Sequence, residues 1–332
     1  MKERFRVPGE WERHEACWLA FPHLAEEWPF GLLPAQRSIA ELCRAIAGPG
    51  GEPVRLLVRS PEVERQARAL IGDADGIEYV SAAYGDCWLR DTAPLLGYDG
   101  RGALCGLRFA LNGWGGKYQM PFDDAVGDWL LGHLGARGAR SPLFLEGGAI
   151  ESNGAGTFLT TASCVLNDNR NPGLTRQAFE DALGELVEVS RVVWLERGLE
   201  HDHTDGHVDM IARFASAKTV LCMQPTEDVP NAGVMREIAS VLHDEGFSVL
   251  PLPAPAAVFD REGAPLPASY CNFYVANDAV IVPTYGVPED EAALEVIGQA
   301  FDDREAVGLS ARDLLCGGGV FHCVTQPQPT PP

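Results

Sequence analysis

Six short apolar runs, at residues 16–21, 54–58, 192–195, 220–223, 249–252 and 280–283, have the length and branched side chains of buried strands. Between them, residues 36–46, 123–134, 174–187, 234–245 and 290–301 repeat apolar positions at three- and four-residue steps, the period of a helix with one face in a core. Strands alternating with amphipathic helices commit the chain to an α/β architecture. No GxGxxG follows an early strand, so a dinucleotide-binding fold has no support. Gly- and Pro-rich turns at 48–53, 97–102, 112–116, 147–156, 251–267 and 316–319 cut the chain into comparable strand-and-helix units. None is long enough for a flexible linker, so one domain over residues 1–332 is expected. The Pro-rich end at 326–332 cannot continue a helix or a central strand, and a strap followed by a frayed tail over about 327–332 is expected.

Composition narrows the class. A chain of 332 residues with 46% hydrophobic content can bury a large core. The net charge of −21 disfavours a nucleic-acid surface, and surface carboxylates for solubility account for it better than steering of a cationic substrate does. The N-terminus is charged and reaches Pro8 before any apolar run, and no segment approaches the ~20 apolar residues of a membrane span. Nine cysteines are scattered without a CxxC pair, which points to reduced thiols and not to a disulfide framework or a structural zinc site. A soluble cytoplasmic protein that binds neither membrane nor nucleic acid is the expectation. Its oligomeric state is left open, a homo-oligomer included.

Four clusters could carry chemistry. Trp88 and Asp91 stand three apart beside Asp86 and Arg90, and an indole face with a carboxylate suits a planar cation, although a surface turn explains the cluster equally well. Glu146 ends an apolar run and precedes two glycines; a buried carboxylate there needs a partner, either a structural one such as Arg170 or a catalytic one. Residues 201–209 hold His201, His203, Asp205, His207 and Asp209. On a strand, His207 and Asp209 would share a face and suit acid/base work, while the histidines and aspartates together are acceptable zinc or iron ligands. Finally, Cys323 follows the glycines 317–319. Its neighbour His322 is a poor base for it, because adjacent strand residues point to opposite faces.

Taken together, the motifs WLRDTAP (88–94), NGWGGKY (112–118), EGG (146–148), NRNP (169–172), TDGHVD (204–209), SYCNFY (269–274) and HCVTQ (322–326) resemble, in order, the agmatine deiminase and bacterial peptidyl-arginine deiminase family. The resemblance spans about residues 11–329. It implies a pentein-type α/β propeller, five pseudo-repeated ββαβ units around a central site, and hydrolysis of a small guanidine without a cofactor or metal. Agmatine, giving N-carbamoylputrescine and ammonia, is the substrate it favours. By matching positions, Cys323 is the nucleophile, His207 the general acid and base, Glu146 its orienting group, and Asp91 and Asp209 the guanidinium clamp. Trp88 lines the pocket and Asn272 belongs to the surrounding polar shell. The chain departs from the family pattern at Ala149 and Val320, where asparagine is common. Free arginine, peptidyl-arginine or another alkylguanidine remain open as substrates. So does a metal-dependent hydrolase built on the 201–209 histidines, or a guanidine-binding protein with an inert thiol.

Overall fold

The computed structural model describes residues 4–200, 202–225 and 231–332. One local order of elements recurs along it. A strand turns back antiparallel onto a second, a helix follows, and the chain returns as a third strand parallel to the second. A parallel return needs such a crossover, whereas an antiparallel one needs only a turn. One unit comprises Leu95–Asp99, Leu104–Ala110, the helix Asp123–Leu134 and Arg137–Phe144. A second comprises Ile150–Ser152, Thr157–Thr161, the helix Arg176–Gly184 and Arg191–Leu195. The third has Ala212–Phe214, Thr219–Gln224, the helix Ala232–Asp244 and Ser248–Pro253. In the fourth, Tyr274–Val275, Ala279–Thr284, the helix Glu289–Ala300 and Glu305–Ser310 repeat the order.

The fifth unit is shared between the chain ends. Gln326–Pro329 pairs antiparallel with His14–Ala20, which passes through the helix Leu32–Ala47 to the parallel strand Val54–Val58. The helices pack as their periodicity requires: Ala35, Ile39, Leu42, Cys43 and Ile46 of Leu32–Ala47 are all buried. Where the sequence suggests a helix over 174–187, only Arg176–Gly184 is helical. Thr175 caps its start, its side chain accepting the Ala178 N–H at 3.2 Å, while the Leu174 N–H is already taken by the Asn171 carbonyl. The helix Pro61–Ile71, absent from the sequence reading, starts at Ser60, whose side chain accepts from Val63 N, with Pro61 in the first turn.

The Pro-rich end is not a tail through Pro329. Gln326–Pro329 is an edge strand, fully buried, and its prolines fall at every second position. A strand turns alternate N–H groups toward its one neighbour, so the glutamines donate and the prolines, which cannot, take the free side. Gln328 adds side-chain bonds: its Oε1 accepts from Trp18 Nε1 at 3.0 Å and Arg55 Nη1 at 2.6 Å, and its Nε2 donates to Glu15 at 2.9 Å. Gln328→Ala leaves the buried Trp18 N–H unpaired and should destabilise the protein by about 1–3 kcal/mol. Urea unfolding followed by Trp fluorescence measures this; an unchanged midpoint would contradict the role given to the strap.

Candidate active site

Each unit is entered through a connecting segment, and five such segments meet. Trp88 and Asp91 lie just before Leu95, Glu146 and Gly148 just before Ile150, and His207 and Asp209 just before Ala212. Asn272 precedes Tyr274, and Cys323 precedes Gln326. Side chains far apart in sequence therefore converge because the units repeat.

Gly148 occupies the middle. A Cβ there would lie 2.7 Å from His207 Nδ1, 2.9 Å from Asp209 Oδ2 and 3.0 Å from Asp91 Oδ1, so only glycine lets the three groups close in. Its N–H donates to Asp91 Oδ1 at 2.9 Å, and Trp114 Nε1 donates to Asp91 Oδ2 at 2.7 Å. Glu146 accepts from Arg170 Nε at 3.1 and 2.8 Å through its two oxygens, and Oε2 lies 3.2 Å from His207 Nε2. The two partners proposed for Glu146 are thus both present. The other ring nitrogen of His207, Nδ1, has no hydrogen bond and lies 3.9 Å from Asp91 Oδ1. Asp209 Oδ2 lies 2.8 Å from His322 Nδ1 and 3.7 Å from Cys323 Sγ, while its Oδ1 has no partner.

Burial and charge set the protonation states. Burial alone would lower the His207 pKa, but Asp91, with Cys164 and Glu146, raises it well above the ordinary histidine value. Burial pushes the Cys323 thiol up, and the carboxylates of Asp209 and Asp91 push it further. Burial, aided by Glu146 and Asp209, raises Asp91 despite His207 and Trp114. For Asp209, burial is outweighed by the His322 hydrogen bond and charge, and its pKa falls. These shifts favour an imidazolium at His207 and a protonated thiol at Cys323.

Some sequence expectations change in detail. His207 and Asp209 flank and enter a 3₁₀ turn, Val208–Met210, and reach one site without the strand expected to carry them. Cys323 and His322 sit on the one-turn helix Phe321–Val324, and both ring nitrogens of His322 are taken by carboxylates, Nδ1 lying 2.8 Å from Asp209 Oδ2 and Nε2 3.0 Å from Glu10 Oε1. Asn272 is fully buried beneath this helix; its Oδ1 accepts the N–H groups of His322 at 3.0 Å and Cys323 at 3.3 Å. It supports the Cys323 backbone and does not line the cleft. Ala149 packs in a core with Leu145 and Ile150, and Val320 is buried at the start of the Cys323 helix.

The metal reading of 201–209 loses its convergence among the described residues. His203 stacks on Tyr118, Asp205 accepts from Lys117, Asn169 and Arg170, and Asp209 faces His322; His201 lies outside the described residues. Two other groups, Glu146 with Cys164 and His207, and Glu10 with Glu151 and His322, bring ligand atoms within 4.8 Å. Each is already balanced by a buried arginine, Arg170 in the first and Arg213 in the second. Sequence reasoning passed over Glu10, which binds Arg90, Arg213 and His322, because nothing in its spacing marks it. Above the thiol opens a cleft walled by Trp88, Asp91, Trp114, Tyr118 and His203, with Trp88 stacked on Trp28 at 5.9 Å.

The profile of the Porphyromonas-type peptidyl-arginine deiminase family matches residues 6–329. An agmatine deiminase of Ectopseudomonas mendocina is 34% identical, covering 98% of this chain and 96% of its own. The structure of the Enterococcus faecalis agmatine deiminase superposes with a TM-score of 0.91 at 30% identity, covering 98% and 96% of the two chains. DDAH from Pseudomonas aeruginosa, at 12% identity and a TM-score of 0.57 over 95% of this chain and 99% of its own, shares the fold alone. The chain, an α/β propeller of the pentein type, belongs to the Porphyromonas-type peptidyl-arginine deiminase family of guanidino-modifying hydrolases.

Proposed function

We propose that the protein hydrolyses agmatine to N-carbamoylputrescine and ammonia, with Cys323 as nucleophile and His207 as general acid and base. The observation that carries this reading is the gathering of Cys323, the unbonded Nδ1 of His207 and the carboxylates of Asp91 and Asp209 around Gly148. A guanidinium is a poor electrophile, so it must be held in plane while the thiolate meets its carbon from above. Asp91 and Asp209 are the clamp. Trp88 offers an indole wall for the flat cation.

Docking of the cation lowers the thiol pKa, and the thiol proton passes to solvent. The thiolate adds to the guanidinium carbon and gives a neutral tetrahedral adduct. His207, protonated at rest, donates from Nδ1 to one amino group, and the C–N bond breaks with loss of ammonia. A thiouronium remains on Cys323. Neutral His207 then removes a proton from water as its oxygen adds to the same carbon, and collapse of this second adduct expels the sulfur, which takes up the adduct's hydroxyl proton to restore the Cys323 thiol, and leaves the urea. Glu146, fixed by Arg170, holds Nε2 so that Nδ1 faces the reaction. Ammonia takes up the proton lost at the first step.

Agmatine is favoured over arginine by the cleft wall, which carries Glu27, Asp86 and Asp91 and, among the described residues, neither lysine nor arginine. Bringing an α-carboxylate into it without a partner costs on the order of several kcal/mol. A cytoplasmic location is part of the proposal and is supported by nine free thiols.

Cys323→Ser should lower ammonia release by at least about a thousandfold while agmatine still binds, measured by coupled assay and calorimetry; Cys164→Ser and Cys316→Ser should retain turnover, and retained turnover in Cys323→Ser would overturn the assignment. Alkylation of the free enzyme at Cys323 by iodoacetamide should rise about tenfold per pH unit through pH 9, because the thiol titrates above its ordinary value. A plateau below pH 8 would contradict it. In a third comparison, kcat/KM for agmatine should exceed that for arginine and an arginine peptide by at least about a hundredfold, and parity with either would sink the substrate choice.

A further inference from the structure

Lys117, in the motif NGWGGKY (112–118), and Asp205, in TDGHVD (204–209), stand outside the reacting groups, yet an unbroken line of contacts joins them to His207. Lys117 Nζ donates to Asp205 Oδ1 at 2.6 Å, and Arg170 Nη1 and Asn169 Nδ2 donate to Oδ2 at 2.6 and 2.9 Å. Arg170 turns its Nε to Glu146 Oε2 at 2.8 Å, and that oxygen lies 3.2 Å from His207 Nε2. Lys117, Asp205, Arg170, Glu146 and His207 thus form a row of alternating sign that runs from the surface to the buried ring.

The row is held along its length. Asp205 has a left-handed backbone, φ 66°, which a residue with a Cβ keeps only when its surroundings impose it. Its carbonyl accepts from Ser163 Oγ at 2.8 Å, and Arg170 Nη2 donates to the neighbouring Thr204 carbonyl at 2.9 Å. Burial opposes ionisation of Asp205, but the bonds from Lys117, Asn169 and Arg170 outweigh it and hold its pKa below the ordinary carboxylate value. The turn that carries Lys117 is left-handed through residues 113–116 and sets Trp114 on Asp91, which lies on the Nδ1 side of the same ring. One turn therefore reaches His207 from both sides. Cys164 and Asp209 are the other ionisable groups that act on the ring.

We infer that Lys117 and Asp205 are positioning residues for His207, which act through Arg170 and Glu146 and set how firmly the ring holds its proton. The inference rests on the deiminase reading, in which that proton goes to the departing ammonia, and it names the residues that govern the proton from the protein surface. Arg170 divides its donors between two carboxylates. With Asp205 neutralised it leans wholly on Glu146, which then attracts the His207 proton less. With Lys117 removed, Asp205 draws harder on Arg170, Glu146 is freed, and the proton is held more firmly.

The ring resonance of His207, identified by its loss in His207→Asn, is titrated by NMR in the free protein. Asp205→Asn should lower its pKa by at least about 0.5 pH unit, and Lys117→Met should raise it by about 0.3 pH unit. In the double variant Lys117→Met should add nothing to Asp205→Asn, because its effect passes through Asp205. The high-pH limb of kcat for agmatine, which reports loss of the His207 proton, should move with each shift. Shifts of one sign, shifts that simply add in the double variant, or a changed melting temperature with the titration unmoved would overturn the row. Lys117→Met, at the exposed end, keeps the test decisive if Asp205→Asn fails to fold. The titration needs no turnover, so absence of ammonia release by the wild-type protein would overturn the deiminase reading, while the NMR shifts still decide the row.

Discussion

Three carboxylates, Asp91, Glu146 and Asp209, stand buried around a single glycine, and the surrounding structure is arranged to make that tolerable. Isolated charges in such a place would simply take up protons. Here each is answered differently. Glu146 meets a buried guanidinium, Arg170, through both oxygens. Asp209 leans on His322 and keeps one oxygen open. Asp91 receives two neutral donors, and its raised pKa shows that they do not fully suffice. The deficit is greatest where a cationic substrate would sit.

A second layer holds the first. Glu10 gathers Arg90, Arg213 and His322 behind the site, and although burial opposes its ionisation, these partners keep its pKa well below the ordinary carboxylate value. Arg213 also donates to the carbonyls of Cys271 and Phe273, on either side of Asn272, whose side chain caps the Cys323 turn. Position of the thiol is thereby tied to residues from the N-terminus and from three connecting segments. A buried network of this kind fixes geometry more than it adds stability.

Much of this was legible in the sequence, and the reason differs by level. Strands such as Val54–Val58 and helices such as Asp123–Leu134 announce themselves through local periodicity. Edge strands do not: Arg137–Phe144 is largely exposed, with four of its eight residues at the surface, and carries no apolar alternation. The five-unit order came from motif resemblance, since no period in the sequence reveals that 326–329 belongs to the sheet of 14–20. Cys323, His207, Glu146, Asp91, Asp209 and Trp88 were named from motifs, and the structure brings them together. Glu10, Glu27 and the turn of His322 toward Glu10 were not legible, because a lone carboxylate acquires meaning only from neighbours hundreds of positions away.

The account turns on a covalent bond between Cys323 and the guanidinium carbon. Its most direct test is mass spectrometry of the protein acid-quenched during steady-state turnover of agmatine. A mass gain equal to agmatine less ammonia, mapped by peptide analysis to Cys323, is the result the account predicts. Sustained ammonia production with the cysteine peptide unmodified in samples quenched over the full turnover range, or with the adduct on another residue, would contradict it.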